Sequence, residues 1–422
     1  MFRPLTNISL RRKTQVTPPG NETYLVEIDG QSRSNSRGEP LVAIVGTDMS
    51  LNLFSRDTFS AYRKFTGHER SITGVRFSPR NPNVLYSCSM DGTIRGWDTR
   101  IKSNKAQQIF TGYEGNVFTS FDVNCSDSII CAGTEKIGED AYLMFWDCRS
   151  TNILGAYKES HSDDITRYAC GTLFKSLLCI PQQNNFSIKQ VKFHPTKANS
   201  LATGSTDGLV CVFDICEKSE DDALVTTLNS ESSVSHIGWC GTNSEYLYCL
   251  THTETLLIWD AVESNILTRF DDVRESVSSD QCSIDYLVDC FYHSSLKTLI
   301  VLAGNHSGEQ TLLTIGKDKL HPVHRLSGGH SATVRCLHWN DQTGSLVTGG
   351  EDAIISLWQQ QDNIRENPKK KLMEERKVEK SNAANSVRRS EKRGSPLKEP
   401  FEKTTKRLQR LTLQQDGNPY AK

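Results

Sequence analysis

The chain has 422 residues, of which 36% are hydrophobic and 23% charged, with a formal net charge of -1. No run approaches the roughly eighteen consecutive apolar residues of a transmembrane helix, so the sequence predicts no membrane span. Thirteen cysteines are scattered without a C-x-x-C pair. We therefore expect reduced thiols in an intracellular protein of the nucleus or cytoplasm, with neither a metal site nor a cofactor.

The charge is unevenly distributed. Residues 362–422 contain seventeen Lys or Arg against nine Asp or Glu, a net of +8, whereas residues 1–361 hold 32 basic and 41 acidic side chains, a net of -9. This asymmetry predicts an acidic folded body over 1–361 and a basic, largely disordered tail over 362–422. The tail fits three roles: a nuclear address, a contact for nucleic acid, or a solubilising segment.

The body is built from an internal repeat. The stretch 67–100 begins with a Gly-His pair and ends near a Trp-Asp pair, with apolar alternation between them. An aromatic residue ends the third strand of each unit, and an Asp or its substitute lies six residues earlier. The pairs are Asp48 and Phe54, Asp91 and Trp97, Asp140 and Trp146, Asp207 and Phe213, Thr253 and Trp259, and Asp352 and Trp358. A seventh, eroded unit has Ser307 and Leu313 at these positions.

These motifs resemble the WD repeats of β-propellers over roughly residues 24–361. The resemblance implies an all-β fold, and seven third strands predict seven blades. No strand follows Trp358 in the sequence, so the last blade lacks its outer strand. Propellers usually close by taking that strand from the N-terminal segment, and we expect residues 6–16 to supply it.

One unit is longer than the others. His161 and Phe213 are 52 residues apart, against 29 for His68 and Trp97, and the excess falls in residues 167–189. This insertion interrupts the predicted innermost strand of the fourth blade. Two explanations stay open: an artefact such as a retained intron, or a lid over the mouth of the central channel.

The resemblance also implies a role for the recurring His and Asp residues. In WD repeats, a loop His, a strand Ser, a turn Asp and a Trp form a buried hydrogen-bonded tetrad. A buried member without its hydrogen-bond partner would cost about 1–3 kcal/mol of folding stability. These residues are therefore interpreted as structural parts of the blades rather than as acid-base groups. The predicted sets are His68, Ser89, Asp91 and Trp97; His161, Ser205, Asp207 and Phe213; and His330, Asp352 and Trp358, with Gly350 in place of the Ser.

No nucleotide-binding loop, metalloprotease helix or nucleophile elbow occurs in the sequence. We therefore predict a non-catalytic scaffold that holds proteins or peptides on the loop face around the channel, and no membrane partner. The resemblance places contact residues near the turn Asp and shortly after the loop His: Met90, Phe118, Glu139, Asp164, Thr206, Arg335 and Glu351. Met90 and Phe118 are the expected anchors, because exposed Met and aromatic side chains among charges suit protein contacts.

Two third strands end in the motif Trp-Asp-x-Arg. The boxes are Trp97, Asp98 and Arg100, and Trp146, Asp147 and Arg149. They resemble the box through which substrate receptors of cullin-RING ubiquitin ligases contact the ligase adaptor. The receptor role is thus an alternative function, and a nuclear chromatin- or RNA-associated adaptor that acts through the tail is a second one.

Overall fold

Short runs rich in β-branched and aromatic residues form almost all of the regular structure. A computed structural model of the chain describes residues 5–18, 23–31, 38, 40–136, 140–161, 188–277 and 283–360. Within these ranges, 28 strands form seven four-stranded antiparallel sheets. Each sheet is one blade of a propeller, so the predicted seven-bladed all-β fold is confirmed.

In each of blades 1 to 6, four consecutive strands run from the innermost to the outermost position. Blade 1 contains β2 (Leu25–Gly30), β3 (Leu41–Gly46), β4 (Leu51–Ser55) and β5 (Ala61–Phe65). Blade 2 contains β6 (Ile72–Phe77), β7 (Val84–Ser89), β8 (Thr93–Asp98) and β9 (Gln108–Thr111). Blade 3 contains β10 (Phe118–Val123), β11 (Ile129–Thr134), β12 (Leu143–Asp147) and β13 (Ile153–Tyr157).

The remaining blades follow the same plan until the last. Blade 4 contains β14 (Ile188–Phe193), β15 (Ser200–Ser205), β16 (Leu209–Asp214) and β17 (Leu224–Asn229). Blade 5 contains β18 (Val234–Cys240), β19 (Tyr246–Thr251), β20 (Leu256–Asp260) and β21 (Ile266–Phe270). Blade 6 contains β22 (Tyr286–His293), β23 (Thr298–Gly304), β24 (Gln310–Ile315) and β25 (Leu320–Leu326). Blade 7 contains β26 (Val334–Asn340), β27 (Ser345–Gly350), β28 (Ile354–Gln360) and β1 (Ile8–Gln15).

Three short helices complete the regular structure of the described residues. A single 3-10 turn, Leu5–Asn7, leads into β1. Helix α1 (Glu220–Ala223) precedes β17, and its first turn is capped by the Ser219 side chain, which accepts from the Asp222 amide. Helix α2 (Val273–Ser276) follows β21 and is capped by Asp272 in the same way.

The hydrophobic core is divided among the contacts between neighbouring blades. Seven clusters of buried apolar side chains occur in the described residues, and each combines residues of two adjacent blades. The cluster between blades 1 and 2, for example, contains Leu53 and Trp97, and that between blades 7 and 1 contains Ile355 and Ile44. Neighbouring blades therefore bury one another's faces around the whole ring.

The first strand of the chain closes the ring. Strand β1 lies antiparallel to β28, with Ile8 opposite Gln360 and Gln15 opposite Ile354, and forms the outer edge of blade 7. Leu5 and Ile8 are buried in the cluster between blades 6 and 7. The residues predicted for this role, 6–16, contain the observed strand.

Two predicted segments lie mainly or wholly outside the described residues. The tail, 362–422, is wholly outside them, as are residues 162–187 of the long fourth unit. The predicted insertion, 167–189, ends two residues too late, because Ile188 and Lys189 already belong to β14. Ile188 lies opposite Ser205 of β15, so it is part of the blade.

Deleting residues 8–15 should lower the melting temperature and cause self-association. The deletion exposes β28 as a sheet edge and removes the burial of Ile8, which alone contributes about 1.5–3 kcal/mol. Thermal melts and size-exclusion chromatography measure the two effects. Deletion of residues 1–4 is the control, since it leaves β1 in place. A β1 deletion that stays monomeric and melts like the full chain would show that closure does not depend on this strand.

Candidate interaction surface on the loop face

A hydrogen-bonded network supports the loop face of blade 2. His68 Nδ1 donates to Asp91 Oδ2 (2.8 Å), and His68 Nε2 accepts from Ser87 Oγ (2.8 Å). Trp97 Nε1 donates to the same Ser87 oxygen (2.9 Å). The prediction of Ser89 as the tetrad hydroxyl is therefore wrong. Ser89 belongs to the turn, where its hydroxyl donates to the Arg70 carbonyl and accepts from the Asp91 amide.

The same two-residue correction applies to blades 4 and 7. His161 Nδ1 donates to Asp207 and its Nε2 accepts from Thr203 Oγ1 (2.8 Å), so Thr203 takes the place predicted for Ser205. Phe213 occupies the Trp position of this third strand, and its ring has no N–H group to donate a hydrogen bond. In blade 7 the tetrad hydroxyl belongs to Thr348, and the predicted position, Gly350, is two residues too late. The Thr348 hydroxyl contacts His330 Nε2 and Trp358 Nε1, each at 2.9 Å, and His330 Nδ1 contacts Asp352 (3.2 Å).

These networks have a structural role, because their polar side chains form hydrogen bonds to one another within the blade. Burial disfavours ionisation of Asp91, but hydrogen bonds from His68 and Thr93 outweigh it and hold the pKa of this carboxyl well below its usual value. The pKa of Asp352 is lowered by His330 against burial in the same way. Both ring nitrogens of His68 already have partners, so the imidazole has no free nitrogen for proton transfer to a substrate.

Blade 5 departs from this pattern at its loop-face turn. Thr253 replaces the Asp, and the Thr251 and Thr253 hydroxyls are 2.9 Å apart in a chain of threonines. The neighbouring Glu254 accepts the Leu287 amide hydrogen bond (2.7 Å). Burial nevertheless raises the pKa of Glu254 to about 7. The Glu254 carboxyl therefore links this turn to the innermost strand of blade 6.

Partly or fully exposed Met and Tyr side chains lie on the loop face of blades 1 to 3. Met49 (41% exposed) is in the turn between β3 and β4, and Met90 is half-buried in the turn between β7 and β8. Tyr113 (50% exposed) packs edge-on against Tyr142, with ring centroids 6.2 Å apart. The turn of Met90 adjoins the loop of Tyr113, because the Gly112 amide donates to the Gly92 carbonyl (3.2 Å).

The prediction of Phe118 as an exposed anchor is wrong. Phe118 is 0% exposed and packs edge-on against Trp146, with centroids 5.5 Å apart. The loop before β10 shifts the register by one residue, and a one-residue shift in a strand moves a side chain to the other face. Tyr113, which sequence reasoning passed over as a contact residue, is the exposed aromatic of this loop. The sequence could have indicated this, because Gly112 and Tyr113 stand where other units have their Gly-His pair.

The other predicted contact residues lie at different places in the structure or outside the described residues. Arg335 and Glu351 form an ion pair on the loop face of blade 7, with Arg335 Nε donating to Glu351 Oε1 at 2.8 Å. Thr206 is half-buried in the turn of blade 4. Glu139 and Asp164 lie outside the described residues. The structure thus brings Arg335 and Glu351 together on blade 7.

Charged residues that the sequence analysis did not select pair across the innermost strands. Arg76 contacts Glu27 (2.6 Å) in blade 1 and Asp122 (3.6 Å) in blade 3. His338 contacts Asp29 (3.4 Å) across blades 7 and 1. Burial raises the pKa of Asp122, an effect that Arg76 opposes. Arg76 and Asp122 are each the one charged residue of their strand, but nothing in the sequence indicates which residues they contact.

The two Trp-Asp-x-Arg boxes lie on the face opposite the loop face. Trp97 and Trp146 are buried, whereas the side chains of Arg100 and Arg149 are 57% and 80% exposed. Arg100 Nη2 pairs with Asp98 Oδ2 (2.6 Å), and Arg149 Nε lies 3.4 Å from Asp147 Oδ1. Gln108 of β9 donates to the Cys148 carbonyl (2.9 Å), which brings the turns of blades 2 and 3 together.

In the part of the chain that the structure describes, no group of three or more His, Cys, Asp or Glu side chains has the arrangement of a metal site. No helix in that part is long and apolar enough to cross a membrane.

Asp91→Asn should lower the free energy of unfolding at neutral pH by about 1–3 kcal/mol, because the amide disrupts a buried network. The lowered pKa of folded Asp91 means that its stabilisation is present above the pKa of an unfolded Asp, near 4, and is lost as the pH falls through the folded value. The variant should therefore lose less stability in acid than the wild type. Chemical denaturation at a series of pH values measures this difference.

The control for this experiment is Asp57→Asn, which changes a carboxylate whose side chain is 67% exposed. It should reproduce the wild-type curve. If the free energy of unfolding falls equally with pH in acid for Asp91→Asn and the wild type, the role given to Asp91 is contradicted.

Comparison with known proteins agrees with this geometry. The family described as "WD domain, G-beta repeat" matches residues 59–98, 175–214 and 320–359. The chain is 27% identical to the WD repeat-containing protein 89 homolog of Dictyostelium discoideum over 77% of this chain and 81% of that protein. It is 29% identical to WD repeat-containing protein GTS1 of Arabidopsis thaliana over 77% of this chain and 79% of the relative.

A third relative is an uncharacterized WD repeat-containing protein of Saccharomyces cerevisiae, 24% identical over 73% of each chain. The match 320–359 begins at the outer strand of blade 6 and continues through three strands of blade 7, so the sequence repeat is offset from the blade. Matched repeats, relatives along most of the chain and seven blades agree. The chain contains WD repeats and folds as a seven-bladed β-propeller.

Proposed function

We propose that the protein is a non-catalytic scaffold that binds a protein partner on the loop face of blades 1 to 3. The observation that carries this proposal is the set of accessible Met49, Met90 and Tyr113 side chains on consecutive loops and turns. Aromatic and Met side chains are enriched in protein interfaces, where a few such anchors carry most of the binding energy. The names of the three relatives describe repeats and no enzymatic activity.

The loops that carry these anchors are firmly held. The Met90 amide donates to the Ser71 carbonyl (2.9 Å), and Arg70 Nη1 donates to the Met90 carbonyl (3.3 Å). The Glu69 amide in turn donates to Asp91 Oδ2 (3.1 Å). A partner therefore meets an ordered surface, which reduces the entropy lost on binding.

Replacing Met49, Met90 and Tyr113 together by Ser should remove the partner without unfolding the propeller, because these side chains are partly or fully exposed. The measurement is affinity purification with quantitative mass spectrometry, with and without nuclease and with and without residues 362–422. Ile109, Ile153 and Leu154, exposed on the outer strands of blades 2 and 3, are replaced by Ser as the control. A partner that survives the first variant, or is lost with nuclease, would contradict the proposal.

A second candidate function is that of a substrate receptor of a cullin-RING ligase. It is favoured by the two exposed arginines, Arg100 and Arg149, which lie on the same face of adjacent blades. Arg100→Ala with Arg149→Ala should abolish co-purification of the ligase adaptor and leave the melting temperature unchanged. Arg269→Ala with Arg274→Ala removes two other ion-paired arginines and serves as the control. A wild-type chain that never captures the adaptor ends this hypothesis.

A third candidate is a chromatin- or RNA-associated adaptor that acts through residues 362–422. The excess of basic residues in this segment supports it, because basic clusters contact nucleic acid and serve as nuclear addresses. The purification above separates this candidate from the scaffold: its partners should disappear with nuclease or with removal of the segment.

A further inference from the structure

The outer strands of the propeller differ in the side chains they expose. Strands β9, β13 and β17 contain no Lys or Arg. Strand β1, at the outer edge of blade 7, instead carries three consecutive exposed cations, Arg11, Arg12 and Lys13. The outer strands β5, β21 and β25 also carry cations, of which Lys64, Arg269 and Arg325 pair with carboxylates. Among the described outer strands, unpaired positive charge is therefore densest on β1, in a body whose net charge is negative.

These cations have no acidic partner among the described residues. Arg11 and Arg12 form no ion pair there, and Lys13 Nζ donates to the neutral Gly328 carbonyl (3.0 Å). Other exposed arginines bond to acceptors of the blades: Arg274 pairs with Asp272 at 2.7 Å, and Arg70 and Arg80 donate to backbone carbonyls. The charge of β1 is thus available to a ligand.

Two more lysines extend the same surface. Lys317 and Lys319 are exposed in the turn before β25, with one carboxylate, Asp318, between them, and neither has an ion pair in the described part of the chain. Strands β25 and β1 are neighbours, because His324 Nε2 donates to the Ile8 carbonyl (2.6 Å). We call this surface the basic edge; it consists of Arg11, Arg12, Lys13, Lys317 and Lys319.

Protection against edge-to-edge aggregation does not account for so many charges. A bulge already interrupts β1, where Leu10 lies opposite Trp358 and Arg12 lies opposite Leu357, leaving Arg11 as the extra residue. Bulges and single charges are enough to discourage strand addition, and β9, β13 and β17 have equivalent edges without a cation. The bulge also makes β1 a poor site for an added peptide strand.

The chemistry of the basic edge favours phosphate over protein. None of the exposed large hydrophobic residues of the described chain lies on β1, on β25 or in the turn between β24 and β25. Protein interfaces use apolar and aromatic anchors and contain little Lys, whereas nucleic-acid interfaces are rich in positive charge. Single strands are held by stacking on aromatic side chains, which this surface does not expose.

We propose that the basic edge binds the phosphodiester backbone of duplex nucleic acid. Five cations against one carboxylate, on two neighbouring outer edges, supply phosphate contacts without base readout. This surface includes none of Met49, Met90 and Tyr113 and no residue of 362–422. The contact therefore adds a second ligand to the scaffold and does not depend on the partner proposed above.

The test measures binding of a short fluorescent DNA duplex to the full chain between about 50 and 200 mM salt. Arg11→Gln, Arg12→Gln and Lys13→Gln are combined in one variant. Each phosphate contact contributes a slope of about -0.9 to the plot of log affinity against log salt, so the variant should have a slope shallower by roughly 2.7. Lys317→Gln with Lys319→Gln should have a smaller effect of the same sign, and gives an independent reading if the first variant is destabilised.

The matched control is Lys102→Gln, Lys105→Gln and Lys197→Gln, which removes the same charge from three exposed lysines outside the basic edge. This variant should keep the wild-type slope. An unchanged slope in both basic-edge variants, or an equal loss in the control, would overturn the proposal. Tighter binding of poly-glutamate or of anionic lipid vesicles than of the duplex would also overturn it. The Met49, Met90 and Tyr113 variant should bind the duplex normally, so the two surfaces can fail separately.

Discussion

The structure depends on apolar contact between neighbouring blades. A four-stranded sheet has two faces to bury, and here each face is covered only by the next sheet around the ring. The indoles of Trp146, Trp259 and Trp358 are almost fully buried in three different contacts of this kind. Because every blade relies on two neighbours, a defect in one contact weakens the support of the adjacent blades as well.

Polar networks fix the position of the loops above this apolar framework. The His68 and Asp91 pair ties the loop before blade 2 to the turn between β7 and β8, and the Ser87 hydroxyl ties both to the buried indole of Trp97. The turn that carries Met90 is therefore anchored in the core. Surface side chains on such loops can vary without disturbing the blade, which is how one fold serves unrelated partners.

The fold was predictable from the sequence because the spacing of turn Asp and strand aromatic is set by the length of a β-hairpin. The tetrad hydroxyl was harder to assign, because residues two apart in a strand share a face and Ser87 and Ser89 are both buried. Comparison of the three blades with a loop His held the answer: the earlier position has a hydroxyl in each (Ser87, Thr203 and Thr348), whereas the later one is Gly350 in blade 7. The paired charges of the channel, such as Arg76 with Glu27, were not predictable, because they join strands far apart in sequence.

The pairing of β1 with β28 determines the order in which the protein can fold during synthesis. A nascent chain leaves the ribosome from its N-terminus, so β1 emerges before the other described strands and its partner β28 emerges after all of them. Closing so large a loop adds a modest entropic cost but must wait for the rest of the ring. Until translation passes Ile354, the outer strand of blade 7 has no sheet to join. Ribosome-associated chaperones would therefore encounter an open arc of blades.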